Sequence, residues 1–211
     1  MPRSKEGLAR LVERDGVSSR VVRAFRAVDR AHFVPGDSRA EAYRDRPVSI
    51  PHNQTTSQPT LIARMIDVAE VGSDDNVLEV GTGLGYQTAL LATLAGRVVS
   101  IDRHASLTAE ARRNLEAAGL RNVVLLVGDG WQGAPDYAPF DVIIVSASAS
   151  KVPPAFEAQL ADGGRLVIPV GSVGGDDVLL FRKLEAGLRR ERLITPARFV
   201  PLVEGPPPRT H

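Results

Sequence analysis

Asn76-Val77-Leu78-Glu79-Val80-Gly81-Thr82-Gly83-Leu84-Gly85-Tyr86 is a short apolar run that passes into a turn with glycine at every second position. The run suits a buried strand, and the turn opens a helix. Glycines at this point let a ligand approach the backbone closely. A dinucleotide fold would carry G-x-G-x-x-G, with the last glycine packing the helix and its N-terminus receiving a pyrophosphate. Here Tyr86 stands at that last position. The alternate spacing through Gly81, Thr82 and Gly83 therefore favours a nucleoside ligand without a diphosphate. Glu79, at the strand end, offers a carboxylate suited to the ammonium group of a methionine moiety, directly or through water. The alternative is a tight βα turn that binds nothing.

Outward from this turn, the pattern is strand, helix, strand, helix: 76–80, 86–95, 97–101, 107–118, 123–127, 140–145, 154–160 and 165–170. Helices that stop at Gly96 and Gly119 between apolar β-branched runs predict a doubly wound, mostly parallel α/β sheet covered on both faces. Two further strands, Val178–Lys183 and a segment within 191–203, predict an antiparallel C-terminal edge. Two acids fall at the ends of successive strands. Asp102, 23 positions beyond Glu79, is placed to accept hydrogen bonds from both ribose hydroxyls. Gly128-Asp129-Gly130 follows the next strand, where Asp129 could meet an adenine amino group, although an Asp-Gly pair is also a routine turn.

The first 75 residues differ. Amphipathic patterns at 5–14 and 18–28 predict two helices, a Pro- and Gly-punctuated stretch at 33–51 reads as a lid, and a third helix is expected from Ser57 or Gln58 to Ala69, ended by Gly72. We expect residues 1–75 to form a helical cap on a core of residues 76–211. Gln54-Thr55-Thr56-Ser57-Gln58-Pro59 gathers hydroxyls and amides at the start of that helix, whose free N–H groups would suit a carboxylate. The plainer reading makes Ser57 a helix cap. His32, His52, His104 and His211 read as solvated loop histidines.

Of the 211 residues, 43% are hydrophobic, and 26 basic against 25 acidic side chains leave a net charge of +1. No nucleic-acid or membrane partner is expected from this balance. The N-terminus lacks an apolar signal region, so a cytoplasmic location is expected. With no cysteine, thiolate catalysis, disulfides and Cys-based metal sites are excluded.

These segments resemble the protein-L-isoaspartate O-methyltransferase family over nearly the whole chain. The likeness is carried by Ala31-His32-Phe33-Val34-Pro35, Ala42-Tyr43-Arg44-Asp45, the 54–59 segment, Leu78 to Thr88, Gly128-Asp129-Gly130, Ala138-Pro139-Phe140-Asp141, Gly163 to Gly171 and Arg198-Phe199-Val200-Pro201-Leu202. Departures fall at Thr56, where the family has Ile, at Leu84, at Asp102, where Glu is common, and at Ser146–Ser150. The resemblance implies a Rossmann-like class I methyltransferase fold and S-adenosylmethionine as cofactor, with no metal. It implies methyl transfer to L-isoaspartyl carboxylates of damaged proteins and peptides, which initiates repair, and leaves acceptance of D-aspartyl carboxylates open. The rival is a relative that methylates an ordinary aspartyl or small-molecule carboxylate. It gives Ser57 the active-site role, and places Thr55, Thr56, Gln58, Glu79, Gly81, Thr82, Gly83, Asp102, Arg103, Asp129 and Gly130 at the cofactor. A monomer is expected.

Overall fold

The computed structural model describes residues 2–172 and 175–208; His211 lies outside them. The chain opens on α1 (Lys5–Arg14), whose N-cap Ser4 accepts the Gly7 N–H through its hydroxyl, and α2 (Ser19–Ala27). Each buries one stripe: Leu8, Ala9 and Val12 on α1, and Val21, Val22, Ala24 and Phe25 on α2. Residues 33–51 are more regular than their Pro and Gly content suggests. After a 3₁₀ turn that ends at Phe33 (Arg30–Phe33), they hold a second one (Gly36–Glu41) and then β1 (Val48–Ile50), which pairs antiparallel with β2 (Gln54–Thr56). The polar 54–56 run is thus a strand, not a helix start, and α3 begins at Pro59 and ends at Val68. Its exit uses Glu70, with φ of 50°, rather than Gly72.

The core alternates β3 (Asn76–Val80), α4 (Tyr86–Ala92), β4 (Arg97–Asp102), α5 (Ala105–Ala117), β5 (Val123–Val127), β6 (Phe140–Val145), α6 (Pro154–Gln159), β7 (Leu160–Ser172), β8 (Gly175–Leu184) and β9 (Gly187–Ala197). The sheet runs β5-β4-β3-β6-β7-β8-β9, parallel as far as β7 and antiparallel at β8 and β9. This is the doubly wound sheet with an antiparallel edge that the sequence predicts. α4 stops at Ala92, capped by Thr93 and short of Gly96, where a Cβ would sit 3.0 Å from the Ser73 carbonyl oxygen. One face of the sheet shares a single apolar cluster with α1, α2 and α3, and the other packs on Phe140, Phe156 and Leu160. Strand order reverses between β3 and β6, so their carboxyl ends splay and leave a crevice for a ligand. Among the described residues, no helix is long and apolar enough to cross a membrane.

The N-terminal third is tied together by Arg30, which has no exposed surface. Its guanidinium donates to the carbonyls of Ala42 (3.1 Å), Arg44 (3.1 Å), Arg46 (3.2 Å) and Ser57 (3.0 Å) and to Thr56 Oγ1 (2.7 Å). It also lies over the Tyr86 ring, 5.6 Å from the centroid. No alternative residue has the fork geometry to serve so many acceptors. Replacing Arg30 by Met should strand these carbonyls in a dry interior and cost at least about 3 kcal/mol, because each unpaired buried acceptor costs roughly 1–3 kcal/mol. Urea unfolding of the variant beside the parent measures this, and Arg30→Lys should recover only part of the loss.

Candidate active site

At the carboxyl end of β3, the chain turns through three glycines in the left-handed region, Gly81 at φ 100°, Gly83 at 55° and Gly85 at 94°. Other residues adopt such angles only with strain. Space is also short, since a Cβ on Gly81 would lie 3.3 Å from Ser146 Cβ. Beneath the turn, Glu79 is fully buried and accepts from Thr88 Oγ1 (2.5 Å) and Ser100 Oγ (2.6 Å). Ser100 spends its proton on Glu79, so Thr82 is the donor in the 2.6 Å contact between Thr82 Oγ1 and Ser100 Oγ. Both bonds to the carboxylate use Oε2, and Oε1 is buried without a partner. Burial pushes the Glu79 carboxyl up to about 7, against the pull of the hydrogen bonds from Ser100 and Thr88.

Above the turn lies a cavity of about 300 Å³. Its walls are mostly apolar, with Ile50, Leu84, Ile101, Leu107 and Leu202 around Thr82, Gly83, Asp102 and Arg103. Leu84, a departure from the family pattern, packs with Ile50 and Leu107 in this wall. The Asp102 carboxylate accepts the Gly83 N–H on Oδ2 and the His104 N–H on Oδ1, both at 2.9 Å, which fixes it at the cavity edge. Gly130 lines the cavity, and a Cβ there would come within 2.6 Å of Val80 Cγ1. An apolar slot with a fixed carboxylate at its rim fits a nucleoside.

A second cavity, of about 280 Å³, lies beside the first. Thr55, Ser57, Ser146 and Val200 line both. Ser57 does not cap α3: the cap residue is Gln58, and no side-chain cap bond is made from it. The expected carboxylate site at this helix start does exist, but Asp45 fills it, accepting the Thr60 N–H (3.0 Å), the Thr60 hydroxyl (2.9 Å) and Gln58 Nε2 (2.9 Å). Ser57 is therefore held by its carbonyl, through Arg30, and its side chain stands where the two cavities join.

Residues 3–206 match the family Protein-L-isoaspartate(D-aspartate) O-methyltransferase (PCMT). The chain belongs to this methyltransferase family. A protein-L-isoaspartate O-methyltransferase of Anaeromyxobacter dehalogenans is 50% identical over 190 residues, 89% of this chain and 91% of that protein. A solved protein-L-isoaspartate O-methyltransferase superposes with a TM-score of 0.85 at 28% identity, covering 96% of this chain and 67% of that one. The fold also matches a Plasmodium falciparum protein described as a putative protein-L-isoaspartate O-methyltransferase in complex with S-adenosyl-L-homocysteine, with a TM-score of 0.84 at 23% identity over 97% of this chain and 100% of that one.

Within this methyltransferase the predicted site residues divide. Thr55, Thr56, Ser57, Gly81, Thr82, Gly83, Asp102, Arg103 and Gly130 gather on the larger cavity. Glu79 lies behind its wall. Gln58 faces the second cavity. Asp129 does not line that cavity, and its carboxylate accepts the Trp131 N–H and the Gly205 N–H at 2.9 Å each, one on each oxygen. Sequence reading overlooked Arg30, Asp45 and Ser100 because nothing local marks a buried polar partner. It also overlooked Gln87, whose Nε2 donates to Ser146 Oγ at 2.9 Å and ties the glycine-turn helix to the second cavity.

The raised Glu79 carboxyl gives a pH dependence with a definite sign. A folded-state value near 7 against an ordinary 4.5 means the folded protein binds this proton more tightly. Its contribution is therefore most favourable below about pH 4.5 and is lost as pH rises towards 7. Urea unfolding of the free protein at pH 5 and pH 8 should show the parent losing up to roughly 3 kcal/mol relative to Glu79→Gln across that interval.

Proposed function

We propose that this chain transfers a methyl group from S-adenosylmethionine to the free carboxylate of isoaspartyl residues, with the larger cavity holding the cofactor and the second receiving the peptide. The observation that carries this reading is the meeting of the two cavities at Thr55, Ser57 and Ser146. A methyl donor and an acceptor bound in neighbouring chambers would approach each other at that wall. Both chambers are walled by one chain, which supports action as a monomer.

When bound, the cofactor supplies an activated methyl group on a sulfonium. The acceptor oxygen forms a bond to the methyl carbon while the carbon–sulfur bond breaks and its electron pair stays on sulfur. An isoaspartyl carboxylate is already ionised at neutral pH, so no base is required. The protein's work is to position. Asp102 holds the ribose hydroxyls with oxygens already fixed by two backbone N–H groups. Glu79 supplies negative charge beneath the turn, suited to the ammonium end. The Ser57 hydroxyl donates to the acceptor carboxylate and orients it, with Thr55 beside it. Aligning two reactants in this way can supply several kcal/mol of the barrier.

The substrate assignment is tested by tritiated methyl transfer to an isoaspartyl peptide, its aspartyl twin and its D-aspartyl isomer. The isoaspartyl peptide should be strongly preferred over the aspartyl one, and equal rates on those two would promote the rival carboxyl methyltransferase. Ser57→Ala should keep S-adenosylhomocysteine affinity within about twofold while methyl transfer falls by roughly 2–4 kcal/mol of transition-state stabilisation. Because Asp45 rather than Ser57 caps α3, the melting temperature should hardly move. Parental turnover in this variant would remove Ser57 from the mechanism.

A further inference from the structure

Two histidines that methyl transfer does not use face each other at the larger cavity. His52 is at the tip of the β1–β2 hairpin, and His104 follows Asp102 at the end of β4. Their rings stack, with centroids 4.4 Å apart and planes within 8°. Both line the cavity. His52 Nε2 lies 2.7 Å from Ser106 Oγ, which ties the hairpin tip to the first turn of α5. On the other side, the His104 N–H is bonded to the Asp102 carboxylate, which also holds Gly83. The stack therefore joins the hairpin to the residues proposed to hold the ribose.

β1 and β2 form a two-stranded sheet separate from the main one. A lone hairpin of this kind is marginal by itself and needs outside contacts. Ile50, packed on Leu84 and Leu107, anchors its inner side, and the histidine stack anchors its tip.

We propose that the His52–His104 stack is a clasp that holds the hairpin over the cofactor cavity and strengthens retention of the bound nucleoside. The proposal rests on the assignment of that cavity to the cofactor. Neutral imidazoles attract as stacked aromatic rings. Burial lowers the His104 pKa, Asp102 opposes that, and His52 and Arg103 reinforce it. Ser106 is a neutral partner to His52, and Arg103 itself reaches the Pro206 carbonyl on the tail. Burial thus favours the neutral His104 ring, the form that stacks.

The test is calorimetric binding of S-adenosylhomocysteine to the full chain at pH 8, with the parent, His52→Asn, His104→Gln and the double variant. Asn tolerates the left-handed backbone of His52 (φ 63°), so the hairpin turn is preserved. At pH 8 each single change should weaken binding about three- to tenfold, the range of an aromatic pair, and the double should be no weaker than either single. Unchanged affinity or additive losses would each overturn the clasp and leave the cofactor assignment standing. Failure of the parent to bind at pH 8 would instead overturn the cofactor assignment, and the clasp with it.

Discussion

Arg30 carries a positive charge with no exposed surface, and the arrangement of the acceptor side of this protein depends on where that charge is satisfied. Burial lowers its pKa, against the influence of Tyr86 and Asp45, but a guanidinium stays protonated and must be surrounded by acceptors. Three of those are carbonyls from residues 42 to 46, a stretch with no regular strand or helix, and the others are Thr56 and Ser57. The same cation thus folds an irregular loop around itself and fixes the backbone of Ser57. That loop also carries Asp45, whose carboxylate caps α3. Thr56, where the family has Ile, contributes its hydroxyl as the shortest of the five acceptor contacts. Fixing Ser57 through its carbonyl leaves its hydroxyl free to face a substrate.

A second buried charge organises the cofactor side. Glu79 pairs in register with Ser100 across β3 and β4, and Ser100 passes the interaction on to Thr82 in the glycine turn. The turn is therefore not held by glycine conformations alone. An unpaired oxygen on a buried carboxylate is costly, and the raised pKa reflects that cost. Such a destabilised group under a cavity that suits a nucleoside is the sort of strain that functional sites retain.

Periodicity made the core legible. β3, β5 and β6 begin and end where the apolar runs do: β3 and β6 are buried inner strands of the parallel part of the sheet, and β5 is its half-buried edge. The strand-end acids were equally visible, since position in a parallel sheet dictates which residues can reach a ligand. Two kinds of feature were not legible. One is a short polar strand such as Gln54–Thr56, whose partner Val48–Ile50 is only three residues long, so that neither shows a period. The other is the second role of a polar residue. Asp129 sits at a strand end like Asp102, yet its oxygens serve Trp131 and Gly205, and only the fold of the tail makes those N–H groups available.

That tail explains how one modest chain can wall two adjacent cavities. Phe199 donates its N–H to Asp176, and Ser148 donates its N–H to the Val200 carbonyl and accepts the Leu202 N–H on its own carbonyl, either side of Pro201, so residues 199–202 are laid as a strap beside the loop after β6. Val200 then belongs to both cavities, while Leu202 closes only the larger one. The loop after β6 needs small residues here, because Ser146 stands 3.3 Å from where a Gly81 side chain would begin. A serine at 146 meets that limit and adds a hydroxyl that accepts from Gln87, which keeps the partition polar at the junction. A larger side chain would push the strap and the glycine turn apart, and the in-line alignment on which methyl transfer depends would be lost without any catalytic group being touched.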